Sequence, residues 1–113
     1  MSTIYHNPRC KKSREGLAIL EDLNIKFNIR KYLDETLNSD ELKTIIDVLK
    51  IKPEVLVRKN ESIWKTNYKS KQLTDNDLIK IMVDNPKLIE RPIVINKNKG
   101  IVGRPPELIK KLF

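Results

Sequence analysis

The chain has little of several residue types. Among its 113 residues are one Cys, one His, three Gly and six aromatic residues (three Tyr, two Phe and one Trp). A single Cys excludes a disulfide within the chain, which favours a reducing compartment, and we expect the cytoplasm. No apolar run approaches the roughly 18 residues of a membrane helix. The first ten residues, MSTIYHNPRC, lack the basic and apolar segments of a signal peptide.

The net charge of +8 raises the question of nucleic-acid binding. Lys residues are spread along the whole chain and mixed with Asp and Glu, without a dense basic arm. The few aromatic residues do not alternate with Arg in the manner that suits base stacking. This pattern argues against nucleic acid as a partner. An excess of positive charge still attracts small anions to a cleft.

The first third of the chain predicts a βαβ unit. Residues 2–6 are β-branched and aromatic and end at an Asn-Pro pair, which indicates a strand. Residues 11–23 carry Leu at roughly helical spacing, and residues 25–30 alternate between apolar and polar side chains. A strand, a helix and a strand this close together predict two parallel strands.

The last fifth of the chain predicts a ββα unit. Residues 93–95 and 101–102 are short apolar strands around a polar turn, which indicates an antiparallel hairpin. Pro105 and Pro106 then open a final helix. A βαβ half followed by a ββα half is the thioredoxin-like arrangement, so the predicted fold class is α/β and thioredoxin-like.

The segment between the halves is predicted to be a helical insertion spanning residues 39–84. Residues 39–50 place apolar side chains at i, i+3, i+4 and i+7, with Asn38 or Ser39 as the cap. A second helix begins at Thr74, where Thr74 and Asp77 resemble a capping box. We expect residues 1–113 to form a single domain that contains this insertion.

Cys10 is the strongest candidate for chemistry. It falls where the first strand meets the first helix, so unpaired backbone N–H groups and the helix dipole favour a thiolate. Ser13 lies three residues further on, where its hydroxyl can reach back toward the sulfur. Both effects lower the pKa of a thiol. The alternative is a buried thiol without a role, which the basic neighbours Arg9, Lys11 and Lys12 argue against.

His6, four residues before Cys10, has two interpretations. Its imidazole can lie near the sulfur, where it stabilises the thiolate or moves a proton. It can equally be a strand-end residue that bonds only to local backbone. The spacing does not decide between them. The Cys-x-x-Ser pattern leaves no second thiol, so any covalent intermediate on Cys10 needs an outside thiol to release it.

Four ordered motifs resemble those of one family. The segment from His6 to Arg14, HNPRCKKSR, resembles the signature of the glutaredoxin-coupled arsenate reductases. Three later segments, VRKN at 57–60, ERPIV at 90–94 and GRPPE at 103–107, resemble their remaining motifs in the family order. The resemblance covers essentially the full length and implies a thioredoxin-like fold with a helical insertion.

The resemblance also implies a reaction and its residues. A cysteine thiolate attacks the arsenic of arsenate, glutathione then attacks the adduct, arsenite leaves, and a glutaredoxin clears the mixed disulfide. By motif, Cys10 is the nucleophile, His6 supports the thiolate, and Ser13 and Arg14 complete the Cys turn. The oxyanion is held by Arg58, Arg91 and Arg104. No bound cofactor or metal is implied, only glutathione and glutaredoxin as external reductants.

The three arginines fit an oxyanion on physical grounds as well. The chain has 17 Lys but only six Arg, and three of those six fall in separate motifs. The planar guanidinium of Arg offers an oxyanion several hydrogen-bond donors, whereas the ammonium group of Lys acts as a point charge. The alternative is that they form ordinary salt bridges. Pro92 matches the proline that thioredoxin-like folds hold in the cis form opposite the nucleophile.

Two other functions stay open. The same fold and thiol would suit a general glutathione-dependent thiol oxidoreductase with another substrate. The related Spx branch is not enzymatic and regulates transcription by binding RNA polymerase, often with a Cys-x-x-Cys redox switch. Ser13 removes that switch here, and the three arginines favour anion chemistry. Arsenate reduction is therefore the leading prediction.

Overall fold

Four strands form one mixed sheet in the computed structural model, which describes all residues from 1 to 113. The strands are β1 (Ser2–Tyr5), β2 (Phe27–Arg30), β3 (Ile93–Asn96) and β4 (Lys99–Val102). Their order in the sheet is β2-β1-β3-β4, with β1 parallel to β2 and antiparallel to β3. β3 and β4 form the antiparallel hairpin. The predicted βαβ and ββα halves are both present.

Helix α1 (Lys11–Asp22) connects the two parallel strands. It ends within one residue of the 11–23 stretch that carries the helical Leu spacing, and Asn24 adopts the left-handed conformation (φ 57°) that commonly follows a helix end. Its inner face packs on the sheet and on the last helical segment, forming a fully buried core of Ile4, Leu20, Val94 and Ile109. This packing holds the start of α1 against the end of β1, where Cys10 lies.

The middle of the chain is helical, as expected. It contains α2 (Ser39–Leu49), α3 (Pro53–Leu56), α4 (Ser62–Asn67) and α5 (Asp75–Asp84). Two capping boxes fix the starts of the longer helices: Asn38 with Glu41 at α2, and Thr74 with Asp77 at α5. In each box two backbone N–H groups that lack partners within the helix find a side-chain acceptor.

Several boundaries differ from the sequence prediction. The final helix is a 3₁₀ helix over Pro106–Leu112, rather than an α-helix. Strand β2 begins at Phe27, two residues later than expected, and the polar stretch after residue 60 contains the six-residue helix α4. Strand β4 begins at Lys99, two residues earlier than expected, and it includes Gly100, which pairs with Ile95. These are differences of a few residues at element ends, where local pattern is least decisive.

The chain divides into two compact units. The first combines Met1–Glu35 with Arg91–Phe113 and holds the sheet, α1 and the final 3₁₀ helix. The second is Thr36–Glu90 and holds the four helices of the middle region. The organisation as one domain with residues 39–84 inserted stays a prediction. None of the helices has the length and apolar character needed to cross a membrane.

Candidate functional site

Cys10 occupies the N-cap position of α1. Its backbone is extended (φ −93°, ψ 122°), and its carbonyl accepts the N–H of Arg14 at 3.0 Å. The Cys10 N–H donates to the carbonyl of Asn7 at 3.0 Å, which closes a tight turn around Pro8. The side chain therefore stands at the open amino end of the helix, as the sequence predicted. The first turn of α1 contains no acidic residue that would repel a thiolate.

The surroundings of the sulfur favour its ionised form. Partial burial raises the pKa of Cys10, but hydrogen bonds from the Ser13 backbone, the Arg91 guanidinium and the Lys12 backbone outweigh that effect. The net result is a thiol pKa below its usual value. Two of these donors are backbone N–H groups of the first helical turn, and the third is a positive charge. A lowered pKa increases the thiolate fraction at a given pH, and the thiolate is the nucleophilic form of cysteine.

Ser13 contributes in a way that differs from the expectation. Its hydroxyl does not bond to the sulfur: Oγ lies 2.7 Å from His6 Nδ1 and accepts the backbone N–H of Asn7 at 3.0 Å. The backbone N–H of Ser13 is the group that bonds to Cys10. The reason is helical geometry, because a side chain in the first turn leans back toward the preceding loop.

His6 is buried, with 4% of its surface exposed, and bonds through Nδ1 to Ser13. Burial lowers the pKa of His6, and the positive charges of Lys31 and Arg14 lower it further, while a hydrogen bond with Ser13 offsets only part of this. The imidazole therefore favours its neutral form. The role of His6 in supporting the thiolate stays a prediction.

Arg91 and Arg104 lie in the same unit as Cys10. Arg91 is 7% exposed and donates a side-chain hydrogen bond to the Cys10 sulfur. Arg104 Nη1 donates to the Arg91 carbonyl at 3.1 Å, so the two arginine segments contact each other directly. The Arg91–Pro92 peptide is cis, and the Arg104–Pro105 peptide is cis as well. A thiolate beside a buried guanidinium can attack a small oxyanion whose oxygens that guanidinium helps to hold.

Arg58 belongs to the second unit, at the end of the short helix α3. Its backbone N–H donates to the carbonyl of Leu88 at 2.7 Å. Its Nε lies 3.8 Å from a carboxylate oxygen of Glu61 and 3.9 Å from one of Glu90. Arg58 Nη1 is buried and has no hydrogen-bond partner in the structure. The Nε group of this guanidinium is therefore in salt-bridge contact with two carboxylates. The role of Arg58 in anion binding stays a prediction.

Asn7 is a site residue that the sequence analysis missed. It is 5% exposed, and its side-chain Oδ1 accepts the backbone N–H of Arg9 at 3.0 Å. Its own backbone bonds both to the Ser13 hydroxyl and to the Cys10 N–H. An Asn placed before Pro at the end of a strand is typical of such side-chain-closed turns, and this was the available signal.

The Lys residues beside Cys10 and the acidic residues of the chain form no further centre. Lys11 and Lys12 are exposed, and Lys12 pairs with Glu15 at 3.7 Å. No three His, Cys, Asp or Glu side chains come together in a group that could hold a metal ion.

Comparison with known proteins shows the family of this chain. The sequence pattern of the ArsC family matches residues 5–112, which span the Cys turn and all later motifs. The chain belongs to the ArsC family. One relative in this ArsC family is a protein called arsenate reductase from Haemophilus influenzae, which is 40% identical over 112 residues, covering 97% of each chain. Another is the Escherichia coli K12 protein YfgD, named as uncharacterized, at 39% identity over 96% of this chain and 93% of its own.

Solved structures of ArsC proteins share the fold. A structure named arsenate reductase from Vibrio cholerae superimposes with a TM-score of 0.94 at 39% identity, covering 99% of this chain and 97% of the other. The thioredoxin-like fold class predicted from the sequence is confirmed. Since several relatives carry an activity in their names and YfgD carries none, membership of the family leaves the reaction to be argued from the site.

Proposed function

We propose that this protein reduces arsenate to arsenite, with Cys10 as the nucleophile. The observation that carries the proposal is the lowered pKa of the one thiol, with Arg91 donating a hydrogen bond to its sulfur. In this proposal, Cys10 is the nucleophile and the neighbouring Arg91 is an oxyanion ligand, and the contact between them supports both roles. Relatives about 40% identical over nearly the full length are named arsenate reductase, which supports the choice of anion.

The proposed first step is attack of the Cys10 thiolate on arsenic(V). A sulfur–arsenic bond forms, and one arsenate oxygen leaves as hydroxide or, after protonation, as water. Negative charge builds on the remaining oxygens during this step. The planar guanidinium of Arg91 can donate two parallel hydrogen bonds to these oxygens, and Arg104 and Arg58 are further proposed ligands.

The proposed second step transfers two electrons to arsenic. A glutathione thiolate attacks the adduct and forms a disulfide with the Cys10 sulfur, and the sulfur–arsenic bond breaks with its electron pair remaining on arsenic, which leaves as arsenite. A glutaredoxin thiolate then takes the glutathione and regenerates Cys10. An outside thiol is required because the chain has no second cysteine. We propose that this occurs in the cytoplasm, where glutathione is reduced.

The test is an arsenite-release assay with arsenate, glutathione and glutaredoxin. We expect multiple turnovers with all three, no release of arsenite with arsenate alone, and none for Cys10→Ser. Mass spectrometry should find one glutathione on Cys10 when glutaredoxin is omitted. Sustained turnover with thioredoxin alone contradicts the glutaredoxin step. If no thiol system supports arsenate reduction, the protein is assigned to the general thiol oxidoreductases or to the Spx-like regulators.

A further inference from the structure

A cavity within the unit Thr36–Glu90 is lined by residues that have no role in the proposed reaction. Its volume is about 520 Å³, which is within the range of roughly 300–1,000 Å³ that small-molecule sites occupy. Its charged lining consists of four lysines and two carboxylates. These are Lys59, Lys65, Lys69 and Lys71, with Glu54 and Asp75.

The carboxylates do not balance the lysines of this cavity. Lys59 and Glu54 form an ion pair, with Nζ and Oε1 2.6 Å apart. Asp75 is therefore the one carboxylate that remains for the other three lysines. It lies in the first turn of α5, where its charge also complements the positive end of the helix dipole. The cavity thus has an excess of positive charge.

The backbone around the end of α4 brings the three lysines together. The N–H groups of Tyr68 and Lys69 both donate to the Trp64 carbonyl, at 2.9 and 3.0 Å, and the Lys71 N–H donates to the Tyr68 carbonyl at 3.0 Å. Lys65 and Lys69 are four residues apart in this wound segment, a spacing at which like charges repel each other. Lys71 Nζ lies 5.8 Å from the centre of the Tyr68 ring. An anion in the cavity would relieve the repulsion.

The general excess of lysine in the chain does not explain this charge. Two other cavities lie in the same unit, with volumes of about 460 and 310 Å³. The lining of the first contains two carboxylates and one lysine, and that of the second contains two of each. The positive excess is therefore a property of the cavity beside Trp64 and is not shared by the other two.

We propose that this cavity binds a polyphosphate group, either free or as part of a nucleoside di- or triphosphate. Its cations are all lysines, and ammonium groups bind phosphate as point charges without the fixed planar geometry of arginine. That suits a flexible chain of several phosphates. The apolar part of the lining, Trp64, Leu73 and Leu78, offers a surface on which a nucleoside can lie. The proposal does not depend on the reaction at Cys10.

The test uses the fact that Trp64 is the one tryptophan of the chain and lines the cavity. Its indole NMR signal therefore reports binding at this place. We expect a saturable shift with tripolyphosphate and with ATP, at concentrations at least about tenfold lower than with orthophosphate, because several lysines act on one ligand. Tighter binding of ATP than of tripolyphosphate assigns the site to nucleotides, and equal binding assigns it to free polyphosphate. Orthophosphate or adenosine binding as tightly as ATP overturns the proposal.

A triple variant removes the charge from the cavity. Lys65→Gln, Lys69→Gln and Lys71→Gln are combined, since all three side chains are exposed and Gln suits helical backbone about as well as Lys does. We expect the dissociation constant for tripolyphosphate to rise by at least about tenfold, because three charged donors are lost. In the wild-type protein, added salt should weaken binding as it screens the same charges.

The matched control combines Lys26→Gln, Lys110→Gln and Lys111→Gln, which lowers the net charge equally at exposed lysines of the other unit. Its affinity for tripolyphosphate should stay close to that of the wild type. Equal affinities of the two triple variants, or no saturable indole shift in the wild type below about 1 mM tripolyphosphate, overturn the proposal. If the first variant does not fold, the wild-type titrations still decide it. No arsenate or thiol is present, so the outcome is separate from that of the arsenite-release assay.

Discussion

At the residue scale, Arg91 should control the acidity of the thiol. We expect Arg91→Ala to raise the alkylation midpoint of Cys10 toward the free-cysteine pKa of about 8.5, because the variant loses a hydrogen bond and a positive charge beside the sulfur. Arg91→Lys keeps the charge but not the planar fork, so its midpoint should lie between the two. The rate of iodoacetamide alkylation against pH measures this.

Arg104 provides the control for Arg91. It contacts the Arg91 carbonyl and is not among the groups that shift the pKa of the sulfur. Arg104→Ala should therefore leave the alkylation midpoint close to that of the wild type. Equal midpoints in the wild type and Arg91→Ala would show that the backbone N–H groups alone ionise the thiol.

The buried imidazole should make stability depend on pH. The pKa of His6 is lower in the folded protein than the ordinary value of 6.5. Below pH 6.5 the unfolded chain therefore binds a proton at His6 more readily than the native state does. The free energy of unfolding should fall as the pH drops from 7 to 5, and His6→Gln should reduce this fall. Urea titrations in that window measure it, above the range in which most carboxylates titrate.

The effect of His6→Gln on the pH dependence of stability is best measured in a protein that already carries Cys10→Ser. A lowered thiol pKa stabilises the fold increasingly as the pH rises from the folded pKa to the unfolded one, which has the same sign as the His6 effect. With the thiol removed, His6 is the main titrating group that differs between the Cys10→Ser protein and the protein that carries both Cys10→Ser and His6→Gln. Identical slopes with and without His6 would contradict the assignment.

The residue types of the site were predictable, but the direction of its side chains was not. Cys10 could be placed at a helix start because strand, turn and helix signals adjoin in the sequence. The partner of the Ser13 hydroxyl depends on how the end of β1 folds back against α1, and this is set by the burial of His6 and Asn7 in three dimensions. Spacing along the chain carries no information about that.

At the element scale, Gly16 sets how closely α1 approaches the segment that carries Arg91. A Cβ at this position would lie 2.8 Å from Cγ of Pro92 and 2.9 Å from Cδ1 of Ile109. Gly16→Ala gains roughly 1 kcal/mol of helix propensity but overpacks the contact, which costs about 1–3 kcal/mol. We expect a net loss of stability in urea unfolding, together with a raised Cys10 midpoint as Pro92 and its neighbour shift.

Glu21→Ala controls for the general effect of alanine in this helix. Glu21 is exposed near the end of α1, so its replacement should alter stability only slightly and leave the thiol unchanged. If Gly16→Ala proved as stable as the wild type with an unchanged midpoint, the close packing of α1 on Pro92 would have no bearing on the site.

Elements with two agreeing local signals were predicted best. Helices α2 and α5 combine apolar periodicity with a capping box, and their starts were placed correctly. The last segment has one signal, a pair of prolines, which indicates a helical start without distinguishing α from 3₁₀ geometry. Its 3₁₀ form depends on packing against α1 and β4, which no local pattern encodes.

At the scale of the whole molecule, the net charge of +8 should select among reagents for the thiol. Iodoacetate is an anion and iodoacetamide is neutral, and the positive charge of the protein should attract the anion. We therefore expect the rate with iodoacetate divided by the rate with iodoacetamide to be larger for Cys10 than for a small free thiol at equal thiolate fraction. The excess should shrink as salt shortens the screening length from about 10 Å at 0.1 M. A ratio that does not respond to salt would mean that the charge is too dispersed to matter.

The pairing of β1 with β3 has a consequence for how the protein is made. Thr3 pairs with Ile95, so the two central strands of the sheet are joined by about ninety residues of intervening chain. On the ribosome, β1, α1 and the whole Thr36–Glu90 unit are synthesised before β3 exists. Cys10 therefore leaves the ribosome without the Arg91 hydrogen bond and charge that help to lower its pKa, and it gains them only when the segment before β3 has been made and the sheet closes.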